Sequence, residues 1–468
     1  MSAERYPAQS DDAPRPGDYR PPLQLLARVA IALLAEVVLL VLLWRFDDWR
    51  YAGTPVKFVE TAVLCGIAYF AAASAFAQWP LGRWTITLFW SVTILLRILA
   101  LPLEPGDDFW RYQWEGKIQN AGFNPYVLTP NDERLAALRT QYPHWSQINH
   151  KDYSAIYPPG IELIFRGLES VSAGPLIYKL LFAAADLGAI AILLRLIGGR
   201  LRYQDAVWYA WNPLVIYSFA GAAHFDSLMI LPMLAGIFCF VRSQAASESK
   251  EQTGWAIGGA AAMGAAISIK LVPVLLLPAC LFALGKRAWT LAFSLWIPAL
   301  LSLPFGVPRV PIWKSLGQFI YVARVNDAFW WLIEDTFWPN RHQKNYSYNL
   351  IIILAVVFVA LIFMRNWRRG VFWSLGTALI LSPVLHPWYV TWILPFAAWR
   401  RVDAWQVLSV TIFAYYLFWE ERLFALPWHS EPWLRAFIFL PPIVAALFAL
   451  RRSPPVVAGV GDRGRAQE

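Results

Sequence analysis

Two adjacent carboxylates are the first residues whose types and spacing could do chemistry. They lie in Gly106-Asp107-Asp108-Phe109-Trp110-Arg111-Tyr112-Gln113-Trp114-Glu115-Gly116. A helix over this stretch puts Asp108, Tyr112 and Glu115 on one face and Trp110, Trp114 and Ile118 on another. That pattern predicts an amphipathic helix lying at a membrane surface, its aromatics in the headgroup layer. Neighbouring acids there can take a proton from a sugar hydroxyl or hold a divalent cation such as Mg or Mn. The same residues also serve as plain helix caps, because Asp is favoured at an N-terminus. The run stops at the turn signal Asn120-Ala121-Gly122-Phe123-Asn124-Pro125.

Three further clusters follow. Ile148-Asn149-His150-Lys151-Asp152-Tyr153-Ser154-Ala155-Ile156-Tyr157-Pro158-Pro159-Gly160 ends in Tyr-Pro-Pro, which fixes an extended corner before a short helix. His150 and Asp152 read more simply as members of a solvated loop than as ligands. Gly221-Ala222-Ala223-His224-Phe225-Asp226 joins two apolar runs, and ionisable groups bordering a span are costly and mark functional positions. Lys270 stands before Leu271-Val272-Pro273 in an apolar stretch, placed either to neutralise a lipid phosphate or to snorkel to the surface. Glu36, Glu60 and Asp186 read as polar contacts between helices. Cys65, Cys239 and Cys280 lie inside apolar runs and read as small core hydrophobes, with no zinc spacing.

What must position these residues is a membrane scaffold. Of 468 residues 58% are apolar and only 15% charged, against roughly a quarter charged in soluble domains. The net charge of +9 sits in short basic clusters between apolar runs, which is membrane topology rather than nucleic-acid binding. Residues 1–23 are polar and rich in Pro and Asp, a disordered cytoplasmic tail rather than a cleaved signal. A single transmembrane domain is expected over 24–450 and a second cytoplasmic tail over 451–468. Apolar runs predict an all-α fold of about eleven to fourteen spans: 24–44, 58–78, 84–101, 175–197, 206–222, 226–241, 254–269, 271–284, 288–304, 349–364, 371–384, 388–399, 403–419 and 433–450. The stretch 158–171 is too short and too charged to span, and reads as interfacial or re-entrant. With both termini inside, the Lys and Arg clusters fall on the cytoplasmic side, and 102–157 and 305–348 become long outer loops. Long ordered loops on a rigid scaffold tend to carry function.

The order of motifs resembles that of GT-C integral membrane glycosyltransferases, in particular the family 87 group and the polyprenol-phosphate mannosyltransferases. The matching pieces are GDDFWRYQWEGKIQNAGFNPY (106–126), INHKDYSAIYPP (148–159), WNPLVIYSFAGAAHFDSL (211–228), KLVPVLLLP (270–278) and SPVLHPWYVTWILPF (382–396). The resemblance implies a GT-C-like fold that transfers a sugar, mannose first, from a polyprenyl-phosphate donor to a glycan or glycolipid acceptor, with inversion. It implies Asp108 as catalytic residue with Asp107 beside it. Arg111, Tyr112, Glu115, Tyr157, His224, Asp226, Lys270 and His386 are the substrate-binding candidates. It places the site on the periplasmic or extracellular side of the inner (plasma) membrane. Gly-Asp-Asp stands where an Asp-x-Asp spacing would be, which leaves a metal open. A transporter or lipid flippase is the alternative, suggested by the scattered intramembrane charges.

Overall fold

The computed structural model describes residues 22–80, 82–199, 201–306, 311–327, 329–337, 345–424 and 431–452. The expected N-terminal tail (1–23) and C-terminal tail (451–468) fall almost wholly outside them. The described chain is helical, with one isolated parallel bridge, between Val325 and Val384.

Six described helices are long and apolar enough to cross a membrane: Leu23–Leu43, Thr54–Ala77, Pro175–Ile197, Asp226–Ala245, Val272–Phe305 and Pro432–Arg451. A seventh span is available if Ser347–Ile362 and Met364–Ile380, bent by 76°, count as one. That is fewer than the apolar runs suggested. Proline explains much of the difference, since it removes a backbone donor and clashes with the preceding turn. The 206–222 run breaks into Arg202–Ala210, Pro213–Ile216 and a π-helical turn, Tyr217–Gly221. The 388–399 run breaks into Pro387–Val390 and Leu394–Arg400, each with Pro in its first turn. The 271–284 and 288–304 runs fall in one continuous helical stretch, Val272–Phe305, of alternating α and 3-10 segments, which counts as a single spanning candidate. Apolar side chains such as Leu34, Leu180, Leu354 and Leu447 point outward from the spanning helices, as a lipid solvent permits.

The first long loop is ordered. Its main helix, Asp107–Asn120, packs against Pro159–Ser170. The fit requires small residues: a Cβ on Gly116 would sit 2.4 Å from the Phe165 carbonyl oxygen, and one on Gly160 would sit 2.6 Å from that of Ser268. The expected surface-lying amphipathic helix is not what forms. Both faces of Asp107–Asn120 are covered, with Phe109, Tyr112, Trp114 and Ile118 all buried. Trp114 meets Tyr142 and Trp145, and Trp110 stacks on His144, so the later part of the same loop roofs the face expected to meet headgroups. The segment 158–171 forms a twelve-residue helix and is not among the spanning candidates.

The second long loop docks on the first. Ser154 and Ser315 hydroxyls meet at 2.6 Å, and the Asn124 amide donates to the Phe305 carbonyl at 2.9 Å. Val325 then pairs with the 383–385 connection through two backbone hydrogen bonds, which brings this loop beside His386.

Candidate functional site

Gly106 carries the Asp107–Asn120 helix to the rest of the site. Its N–H donates to the Ala222 carbonyl at 2.8 Å, and a Cβ there would meet that oxygen at 3.3 Å and the His224 ring at 3.4 Å. Asp107 and Asp108 form the first turn, where backbone N–H groups and the helix dipole favour negative charge. The Asn149 side-chain amide donates to Asp108 Oδ1 at 2.8 Å and reaches Asp107 Oδ2 at 3.4 Å. Asp108 is half-buried. Desolvation, then the charge of Asp107, raise its carboxyl to about 7, opposed by the Asn149 hydrogen bond and Lys270. A carboxylic acid poised there exchanges its proton near neutral pH.

Facing this pair is the 222–226 connection. Asn212 caps the short helix that begins at Pro213, and the π-helical turn then delivers Ala223 in the left-handed region, φ 59°. A non-glycine residue held there is strained, and such strain persists where the surroundings overdetermine it. The turn buries His224 and Asp226. Asp226 Oδ1 accepts from Lys270 Nζ and from Trp392 Nε1, each at 2.6 Å, and its Oδ2 has no hydrogen-bond partner among the described residues.

Lys270 ends the Ser249–Ile269 helix, and its ammonium lies 4.6–5.2 Å from the ring centres of Tyr389, Trp392 and Phe225. Three ring faces around one cation stabilise it where water is scarce. Lys270 is therefore no free snorkelling side chain. Ammonium, carboxylate and aromatic cage form one unit, in which one of three Lys donors is committed to Asp226.

His386 precedes Pro387, which holds it extended. Its Nδ1 meets the Tyr415 hydroxyl at 3.0 Å. Trp388 lies between two histidines, its ring 3.8 Å from that of His224 and 4.4 Å from that of His386, both stacked. Burial first, then the charge of Lys270, lower the basicity of both, His386 to about 3 and His224 well below the usual value. Both rings are neutral at physiological pH, each with one N–H to donate.

Asp107, Asp108, His224, Asp226, Lys270 and His386 thus come together at one end of the bundle. Tyr112 and Tyr157 line its floor, edge-on to each other and to Phe225. Arg111 and Glu115 point away from it. They pair with each other at 2.6 Å, buried, and Arg111 also donates to the carbonyls of His150 at 3.0 Å and Tyr153 at 2.6 Å. His150 and Asp152 are exposed.

Reasoning from residue types passed over Asn149, Tyr389, Trp392 and Tyr415. Asn149 lies in the 148–159 segment, but its contact with Asp108 spans 41 positions, beyond any helical spacing.

Among the described residues no three His, Cys, Asp or Glu side chains gather in a metal-holding arrangement. Asp107 and Asp108 converge on amide donors of Asn149 rather than on further acceptors, and an N–H donor aimed at the shared position repels a cation.

The alpha-(1->6)-mannopyranosyltransferase N-terminal domain family matches residues 23–286. No curated protein matches the chain. Among solved structures, ArnT from Cupriavidus metallidurans bound to undecaprenyl phosphate aligns with 78% of this chain and 72% of its own, at 18% identity and a TM-score of 0.43.

Proposed function

The chain belongs to the alpha-(1->6)-mannopyranosyltransferase family and is a multi-pass membrane glycosyltransferase, and from that premise we propose that it moves mannose from a polyprenyl-phosphate donor onto a glycan or glycolipid hydroxyl, with Asp108 as the base. The transporter or flippase alternative gives way to the family assignment.

In this reaction the acceptor hydroxyl oxygen bonds to the anomeric carbon. The bond from that carbon to the phosphate oxygen breaks, and the phosphate keeps the electron pair and stays on the lipid. The hydroxyl proton passes to Asp108. One displacement inverts the anomeric centre, so an α product requires a β-linked donor. A phosphate monoester departs without strong acid help, so the protein must supply position, a base and neutralisation of the phosphate.

Each task has a residue. Asp108, poised at about 7, is ionised in about half the molecules at neutral pH and gains a proton without a large penalty. The uncommitted N–H groups of Lys270 and the neutral rings of His224 and His386 would hold the phosphate. Asp226 Oδ2, buried and without a donor, would accept from a sugar hydroxyl. Tyr389 and Trp392 are flat faces for a pyranose ring as well as walls for Lys270. The site faces the periplasmic or extracellular side, on the argument of basic clusters.

The placement of Asp108 carries this reading. It is a half-buried carboxyl at a helix N-terminus, oriented by Asn149, near a caged cation and two neutral histidines. The test is transfer by the purified protein from polyprenyl-phosphate mannose and, separately, from a nucleotide-linked mannose, with linkage analysis of the product. Transfer from the lipid donor alone, giving an α-(1→6) bond, supports it. Transfer only from the nucleotide donor refutes it.

A further inference from the structure

A second pair of carboxylates lies beneath the site. Glu115 on the Asp107–Asn120 helix and Glu162 on the Pro159–Ser170 helix are 2% and 0% exposed. Glu115 Oε1 accepts from Arg111, but its Oε2 has no donor. Glu162 Oε2 accepts from the Gln119 amide at 3.0 Å, and its Oε1 has no donor either. The Gln119 amide bridges the two helices, donating to the Glu115 backbone carbonyl at 3.1 Å and to Glu162 Oε2 at 3.0 Å, and so brings the two carboxyl-bearing residues together across the interface. Two ionised carboxylates in that contact would repel in a medium that screens little, and each orphan oxygen would carry its full desolvation cost.

Charge counting gives the resolution. Arg111 contributes one positive charge and the two carboxylates two negative charges. One proton makes the buried group neutral and supplies the missing donor between the orphan oxygens. The other titratable groups that feel the pair are tyrosines: Tyr126, Tyr157 and Tyr178. The Ser249–Ile269 helix, packed on Pro159–Ser170, brings Ser268 to Gly160; its Lys250 and Glu251 lie at the far end, and Lys270 at the near end is paired with Asp226. The Ala292–Ser302 helix, packed there too, has no ionisable residue.

The pair is connected to the reacting end. Arg111, which Glu115 holds, grips the carbonyls of His150 and Tyr153. His150 is in the left-handed region, φ 47°, so this turn is strained and held from outside. The residue before it is Asn149, which orients Asp108.

We propose that Glu115 and Glu162 share one proton, and that this pair, through Arg111, is the positioning clamp that holds Asn149 against the catalytic carboxylate. The positional half rests on Asp108 being the base, whereas the shared proton stands without it. Loss of the proton at alkaline pH would put two negative charges across the interface and loosen the clamp.

Infrared spectroscopy of the solubilised protein in D2O tests the proton directly, in an Asp108→Asn, Glu36→Gln background that removes the proposed base and the buried, unpartnered Glu36 carboxyl. The C=O stretch of a buried protonated carboxyl is expected above neutral pH, and a component of it should disappear in Glu162→Gln. Its absence, or its persistence unchanged in Glu162→Gln, overturns the shared proton whatever Asp108 does. The pH profile tests the clamp. Glu162→Gln keeps the hydrogen bonds of the protonated form, so neutral-pH turnover should stay within about threefold of wild type, because Glu115 still balances Arg111. Wild type should lose activity at alkaline pH, and Glu162→Gln should not. An alkaline limb that survives in Glu162→Gln, as deprotonation of Lys270 would produce, overturns the clamp.

Discussion

Removing the Asn149 amide takes its 2.8 Å hydrogen bond from Asp108 and only a long 3.4 Å contact from Asp107, and it leaves every charge in place. In Asn149→Leu the carboxylate loses its 2.8 Å hydrogen bond, while the protonated acid loses little. A hydrogen bond to a charged group contributes about 1.5–3 kcal/mol, and each pKa unit corresponds to roughly 1.4 kcal/mol. The Asp108 carboxyl, now raised to about 7, should therefore rise by about one to two further units. The sign follows from the role: a base must be ionised, so activity appears as pH rises through its pKa. At pH 7 the ionised fraction falls from about a half to between about a tenth and a hundredth, a loss of about 5- to 50-fold in kcat/KM. The assay is kcat/KM for the lipid donor across pH 5.5 to 9.5. The variant's acid limb should move to higher pH, with only part of the activity regained at the alkaline end, because Asn149 also orients Asp108. A uniform loss with the limb unmoved would show that Asn149 does not tune Asp108, and an unchanged profile would remove it from the site.

Three other outcomes follow from the same geometry. Lys270→Met should raise the donor KM and also lower the melting temperature, because it strands the buried Asp226 carboxylate, and breaking such a pair costs about 3–5 kcal/mol. Adding Asp226→Asn should restore much of the stability but not the donor affinity, whereas normal kinetics in Lys270→Met would place the phosphate elsewhere. Gly116→Ala forces a methyl against the Phe165 backbone, where overpacking costs about 1–3 kcal/mol or more; thermal unfolding at wild-type temperature would contradict the close helix approach. Single cysteines at Gln141 and Arg365, both exposed, in a cysteine-free background should differ in labelling by an impermeant reagent in intact cells. Labelling at Gln141 only fits the outward-facing site, and labelling at Arg365 only inverts it.

The parts of this molecule legible in its sequence are those with short range. The apolar runs mark the long spanning helices, and Pro158-Pro159 marks the start of the helix that follows. The composition of 106–116 marks a helix beginning at two acids. What could not be read depends on neighbours distant in the chain. The Asp107–Asn120 helix has an amphipathic pattern, yet Tyr142, His144 and Trp145 come back over its tryptophans and bury them. Lys270 is an isolated cation in the sequence, and only the fold brings Asp226, 44 positions away, to its ammonium. Arg111 and Glu115 sit beside Asp108 in sequence, but the helix turns them away from it, into a buried pair with each other and, for Arg111, onto the carbonyls of His150 and Tyr153. His224 comes to stack on Trp388 just after a π-helical turn that no periodicity announces.

The central claim is that Asp108 takes the acceptor's proton. Its most direct test is single-turnover transfer from polyprenyl-phosphate mannose by Asp108→Asn, at saturating donor and in protein shown to insert and to bind the lipid. Loss of the base should slow the step by about a hundredfold or more while donor affinity holds, and Asp107→Asn should be milder. Single-turnover rates near wild type in Asp108→Asn would contradict the account, whatever the other variants show.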